Sequence, residues 1–259
     1  MFTEQVRIPW RPHVAEIAVI QLQSLAFGPF AEAEPLNPRF VPGHPKLKLT
    51  VDADRNPPID GRRLLEELTA AFPGLSRHQC QVGAGRAGAT AEATGIAILD
   101  GDPAANEAHL LEHLILEMLS AVGRVPRLSG VTCAYETPVE RNDIFVECER
   151  MPLGEFVSRL AIRALNATLS GSEIAPLYGD ATIAAGVVWD AGAGVRWTPA
   201  ETARKTGLPP RRAEAALRVL RELDLLEEEE LTMNFSGEPV YRPAGRSGVV
   251  VPSSGTPGA

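Results

Sequence analysis

The chain lacks any run approaching the roughly 18 apolar residues that a membrane helix needs, and Met1-Phe2-Thr3-Glu4 is no basic segment leading into an apolar one. A membrane location and a cleaved leader are therefore not expected. Cysteine is scarce: Cys80, Cys133 and Cys148 are an odd number at scattered spacings, with no C-x-x-C pair. That pattern argues against a zinc knuckle or redox dithiol and points to reduced thiols in a cytoplasmic protein. Positive charge is also in deficit, the formal net charge being −8. Phosphate-dominated binding by the whole chain is disfavoured, a local basic face stays open, and cationic substrates are favoured.

What is present is enough apolar sequence in 259 residues to bury a substantial core, in one large domain or two modest ones. Two are expected. Ile17 to Ala26 reads as a strand or a short helix, and Lys46 to Val51 alternates like a strand. Leu64, Leu65, Leu68 and Phe72 recur at helical spacing within Ile59 to Phe72, and Pro73-Gly74 ends that helix. Asn106 to Val122 keeps a period near 3.6 through Leu110, Leu111, Leu114, Ile115, Met118 and Leu119, which predicts a largely buried helix. Gly130 to Tyr135 and Asp143 to Glu149 read as a hairpin around the turn-rich residues 137–142, and Pro152 opens a further helix.

The buried helix carries His109-Leu110-Leu111-Glu112-His113. Residues four apart share a helix face, so His109 and His113 can offer two imidazole nitrogens to one ion. Glu112 stands where a carboxylate could deprotonate a metal-activated water. The order His-x-x-Glu-His is the inverted zincin pattern, and the expected ion is Zn2+. Two histidines and a glutamate could equally decorate a solvated helix face, but a charged glutamate among leucines is costly unless paired. A catalytic zinc needs a third protein ligand and an open position. Glu147, in the apolar run Ile144 to Cys148, is the first choice, with Glu149, Glu155 and Glu173 as alternatives; a solvent-facing Glu147 fits the pattern equally well. Glu117, one turn beyond His113, suits a supporting role such as accepting a histidine N–H.

The segment Ala70-Ala71-Phe72-Pro73-Gly74-Leu75-Ser76-Arg77-His78-Gln79-Cys80, then His109 to Glu117, then Ile144-Phe145-Val146-Glu147, resembles the N-terminal domain of cyanophycin synthetases. The resemblance covers residues 15 to 170. It implies a small α/β domain that binds an Asp–Arg polymer or related peptides and that in some members is a metallopeptidase. By that resemblance His109 and His113 match the metal histidines, Glu112 the catalytic glutamate and Glu147 the strand glutamate. Met151-Pro152 stands where the family has an acidic pair, and Arg124-Val-Pro-Arg127 only partly follows its Arg-rich run. The family's ATP-grasp and Mur-ligase-like domains have no counterpart in these residues, so a protein other than the synthetase is expected.

Gly83-Ala84-Gly85-Arg86-Ala87-Gly88 spells G-x-G-x-x-G but follows no apolar strand, and reads as a flexible loop. His78 and Cys80 read as stabilising a turn, since a two-residue spacing without a partner pair is a poor zinc pattern. Composition shifts after Leu169 to Ala- and Gly-rich sequence. A boundary near Gly194 is followed by Thr198-Pro199-Ala200-Glu201, a capping box, then a turn at Thr206-Gly207-Leu208 and a helix from Pro210 to Leu223. This is the grammar of a winged helix. Arg204, Lys205, Arg211, Arg212, Arg218 and Arg221 could form a basic face, opposed by the acidic Glu227 to Glu230.

The expectation is an α+β protein: a metal-binding α/β domain over 1–194, a winged-helix-like module over 195–242 and a flexible tail over 243–259. Its expected activity is that of a zinc-dependent peptidase of polar, Asp- and Arg-containing peptides. The alternatives are a DNA-binding regulator acting through 195–242, and a non-catalytic peptide-binding module. Homo-oligomerisation is compatible with all three.

Overall fold

The computed structural model describes residues 4–6, 19–53, 61–81, 92–94, 107–125, 127–172, 175–191, 195–229 and 238–244. In chain order the elements are β1 (Glu4–Val6), β2 (Ile20–Gly28), β3 (Lys46–Ala53), α1 (Gly61–Ala71), β4 (Gln79–Gln81), β5 (Glu92–Thr94), α2 (Glu107–Gly123), β6 (Gly130–Ala134) and β7 (Arg141–Glu147). There follow α3 (Met151–Leu169), α4 (Ala175–Ala191), α5 (Pro199–Thr206), α6 (Pro210–Glu222), β8 (Leu226–Glu228) and β9 (Tyr241–Pro243). Five strands form one antiparallel sheet in the order β1-β2-β3-β7-β6. Mixed helix and antiparallel sheet is the arrangement expected of the α+β class. Among the described residues no helix is long and apolar enough to cross a membrane.

Alternation decides which side of the sheet each residue serves. On β3, Leu47, Leu49 and Val51 enter the main core, and on β7 Ile144 and Val146 join them. There they meet Leu110, Leu111, Leu114 and Met118 of α2 and Phe156, Val157 and Leu160 of α3. Phe145, of opposite parity, packs instead in a second cluster with Ala33 and Phe40, from the segment between β2 and β3. Both faces of β7 are therefore covered, which is why residues 144–146 read apolar without alternation. Asn166 of α3 ties helix to sheet, its side chain accepting from the Ile20 amide at 2.8 Å and donating to the Ile20 carbonyl at 2.9 Å.

Of the ambiguous segment Ile17 to Ala26, the part from Ile20 onward is strand, since β2 spans Ile20–Gly28 and pairs with β3. The Ala- and Gly-rich stretch after Leu169, to which the sequence pattern assigns no element, is largely α4. Its Ala181, Ala184, Ala185 and Val188 are buried in the main core. Alanine is the best helix former and small residues allow close packing, so composition that resembles a linker here makes a central helix. The loop at Gly83–Gly88 and the tail beyond Ala244 lie outside the described residues.

The N-cap half of the box is formed, Thr198 Oγ1 accepting from the Glu201 amide at 3.1 Å, while the Glu201 carboxylate pairs with Arg204; Pro199 opens α5, and Gly207, with φ of 75°, closes it. Then come α6 and the β8–β9 hairpin, with Trp197 bridged to Tyr241. Trp197, Leu217, Leu220 and Tyr241 belong to the same buried cluster as α2, α3 and α4. At the junction, Arg212 donates to both oxygens of Asp180 at 2.6 and 2.7 Å, and Asp180 is buried. Removing one partner of such a pair strands a buried charge. Arg212→Ala is accordingly expected to lower the thermal unfolding midpoint by several degrees with native helix content retained; an unchanged midpoint in a calorimetric scan would show that the pair is dispensable.

Candidate metal centre

Helix α2 is buried nearly all round, and beyond Glu107 in its first turn its polar residues fall on one stripe. His109, Glu112, His113, Leu116, Glu117 and Ser120, at helical spacings of three and four, face a cavity of about 990 Å3. Strand β6 supplies Gly130, Val131 and Thr132 to its wall, and the segment between β2 and β3 supplies Asn37, Arg39 and Val41.

Ligand atoms of His109, Glu112 and His113 lie within 4.8 Å of one another, close enough for one metal ion. The Nε2 atoms of His109 and His113 stand 3.2 Å apart. Two nitrogens bound to one tetrahedral zinc at about 2.0–2.1 Å would lie roughly 3.3 Å apart, so the separation of the imidazole pair matches that ion. His113 is buried, and burial, followed by the charges of His109 and His78, pulls its pKa from 6.5 to about 3, so the ring is neutral and able to offer a lone pair.

Glu112 sits deeper. Its Oε2 accepts from Thr132 Oγ1 at 2.6 Å, and its Oε1 lies against Gly130, where an added methyl would come within 2.7 Å. Burial raises its pKa from 4.5 to about 7, with the Thr132 hydrogen bond pulling the other way. A carboxyl poised near neutrality is suited to taking and returning a proton.

A third histidine joins the group. His78, which follows the 3-10 turn Pro73–Arg77, places Nδ1 at 3.1 Å from His113 Nδ1 and Nε2 at 3.1 Å from Glu117 Oε2. The chain of contacts sets the protons. Glu117 as a carboxylate can only accept, so His78 donates from Nε2 and, in the tautomer with that single proton, accepts at Nδ1. His113 must then donate from Nδ1, which leaves its Nε2 as a bare lone pair facing His109 Nε2. Either His109 donates into that lone pair or a cation lies between the two nitrogens. The sequence reading placed His78 in a turn and missed this contact. Nothing beside His78 in the chain points to α2; the one available hint is that three of only five histidines meet here. Glu117 has the supporting place expected of it, but through His78 instead of through a histidine of the motif.

Glu147 is not brought into this cluster. It shares parity with Phe145 and so leaves the sheet on the face opposite α2, whereas Thr132, paired with Ile144, leaves on the helix side. Its Oε1 accepts from the Val41 amide at 2.8 Å and its Oε2 from the Ser129 amide at 3.1 Å. The carboxylate thus pins the cavity rim and has its cationic need met by two backbone dipoles. Of the alternatives, Glu149 is exposed, neither it nor Glu155 lines the cavity, and Glu173 lies outside the described residues.

The basic residues of the C-terminal module are mostly engaged. Besides Arg212, Arg204 pairs with Glu201, Arg218 with Glu214 and Arg221 with Glu228, while Lys205 lies over the Trp197 ring. No family model matches the chain, and neither curated protein sequences nor solved structures give a match.

Proposed function

We propose that the protein is a zinc-dependent peptidase acting on polar peptides, its ion held by His109 and His113 together with a third ligand other than Glu147, and with Glu112 as the catalytic base. The reading rests on one observation: two imidazole nitrogens 3.2 Å apart, beside a buried carboxyl poised near pH 7, on the wall of an open cavity. The inverted zincin order of the motif and the resemblance to cyanophycin synthetase N-terminal domains support the same reading. Zinc in such a site supplies Lewis acidity, making water a nucleophile at neutral pH and polarising a carbonyl. Glu112 accepts the proton of the attacking water as its oxygen bonds to the peptide carbon, and returns it to the nitrogen as the C–N bond breaks. Thr132 holds one carboxylate oxygen throughout, so the base does not swing away between the two transfers. The purified protein should carry about one zinc per chain by elemental analysis, in keeping with a single such site. A chelator should remove zinc and cleavage together; cleavage that survives complete zinc removal would end the proposal.

The Glu117–His78–His113 chain fixes the tautomer that leaves His113 Nε2 free, so it should govern zinc affinity without touching the ion. Glu117→Ala is expected to weaken zinc binding about 10–100-fold, the usual cost of losing such a partner. Gly74→Ala should do the same from a distance, because a methyl there would collide with the Glu117 carboxylate. Calorimetric zinc titration reads both, and unaltered affinity in the pair of variants would remove the chain from the design.

DNA binding through residues 195–242 has weaker support. Of the six basic residues offered for it, only Arg211 has no carboxylate or ring partner among the described residues.

A further inference from the structure

The charge of the whole chain favours cationic substrates, but the cavity has the opposite character. Ten arginines are held by carboxylates: Arg63, Arg141, Arg159, Arg163, Arg196, Arg204, Arg212, Arg218, Arg221 and Arg242. In a chain with an excess of acids this is the ordinary fate of a guanidinium. Arg39, Arg77 and Arg127 are different. Each lines the cavity, each is exposed, and none of their side chains has a hydrogen bond or ion pair among the described residues.

The acids that share the cavity do not neutralise them, because each is already committed. Glu147 is taken by two backbone amides, Glu117 by His78 and Glu112 by Thr132. The three guanidiniums also come from separate segments. Arg77 precedes His78 at the end of its 3-10 turn, Arg127 precedes β6, and Arg39 lies in the segment that Asn37 fastens to β6 through the Gly130 carbonyl at 2.7 Å. Charge left unpaired in three segments that line one cavity is complementary to an anionic ligand.

We infer that the cavity binds acidic peptides, with Arg39, Arg77 and Arg127 meeting Asp or Glu side chains, or a terminal carboxylate, on either side of the bond presented to Glu112. The peptide class rests on the peptidase reading; the anionic preference rests on the arginines alone. Unpaired guanidiniums donate to carboxylates in a two-pronged geometry that lysine cannot match, so the preference is for carboxylate and not merely for negative charge. Net charge failed as a guide because it counts acids spread over the surface and paired elsewhere, whereas a ligand meets only the cavity wall.

The test uses the full-length metal-free protein, so that binding is read without cleavage. A fluorescently labelled Asp/Glu-rich hexapeptide and its Lys-rich counterpart are titrated by anisotropy at fixed salt. The acidic peptide should bind at least about tenfold more tightly, the order expected for three exposed charge-assisted contacts, and the difference should vanish in the triple variant Arg39→Ala, Arg77→Ala, Arg127→Ala. Arg211→Ala, an unpaired arginine remote from the cavity, should leave it intact. Equal binding of the two peptides, or a preference untouched by the triple variant, would overturn the inference. A single-stranded oligonucleotide that binds more tightly than the acidic peptide, with the same arginine dependence, would overturn it too. If zinc content and cleavage both prove absent while arginine-dependent peptide binding persists, the peptidase proposal fails and this one stands.

Discussion

The Glu112→Gln variant is expected to hold as much zinc as the parent chain and to cleave peptide roughly 10²–10⁴-fold more slowly, the usual contribution of a positioned general base. Glutamine keeps the size of the side chain and can still accept from Thr132 Oγ1, so the wall formed with Gly130 is preserved. What it loses is the capacity to take a proton. Single-turnover assays with zinc content measured on the same sample separate the two effects, and unimpaired cleavage would show that Glu112 is not the base. The same substitution has a thermodynamic signature in the metal-free protein. The folded carboxyl titrates near 7 against an ordinary 4.5, so between those values the native state holds the extra proton. Stability contributed by that proton is complete below the ordinary value and declines as pH rises through about 7. Glu112→Gln should remove this decline, making the variant relatively more stable at pH 8 than at pH 4; parallel curves for the two proteins would contradict the buried, protonated carboxyl.

The His113→Ala variant should bind zinc at least about 100-fold more weakly, beyond the loss expected for a partner that only orients a ligand. One helix histidine without its neighbour cannot chelate, and Glu112 cannot replace a neutral donor while it serves Thr132. Near-zero bound metal in both parent and variant would remove the enzyme reading altogether. Here the pH linkage runs the other way. His113 is held neutral, its folded value near 3 lying below the ordinary 6.5, so the unfolded chain binds the extra proton. Stability is therefore lost as pH falls from 6.5 toward 3. The alanine variant should be spared that loss, visible as a flatter acid limb in chemical unfolding.

The periodic elements were legible in the sequence because burial and geometry agree in them: α2 and β3 end within two or three residues of where their patterns place them. The motif histidines were legible because four residues apart on a helix is a statement about space. Glu147 was not, for a reason of parity. A strand covered on both faces shows no alternation, so nothing in Ile144 to Cys148 says on which side of the sheet the carboxylate leaves. Thr132, which does reach Glu112, is one hydroxyl among many in a β-prone run. His78 was invisible because its partners lie 35 and 39 residues along the chain, and only tertiary packing supplies them. Likewise α4 was hidden by its own composition, since alanine and glycine serve a linker and a tightly packed helix equally well.

The central place of β3 has a consequence for the order in which the protein is built. Its neighbour β7 is made long after it, the Thr50–Asp143 side-chain bond spanning 93 residues and the Val41–Glu147 bond 106. A ribosome-bound chain thus completes β3 long before it has synthesised β7, the strand that pairs with it. Through that interval the inner edge of β3 has no mate, and closing so long a loop is slow compared with winding a helix. Truncations that stop short of Glu147 should accordingly be recovered as aggregates, in which β3 has found another chain.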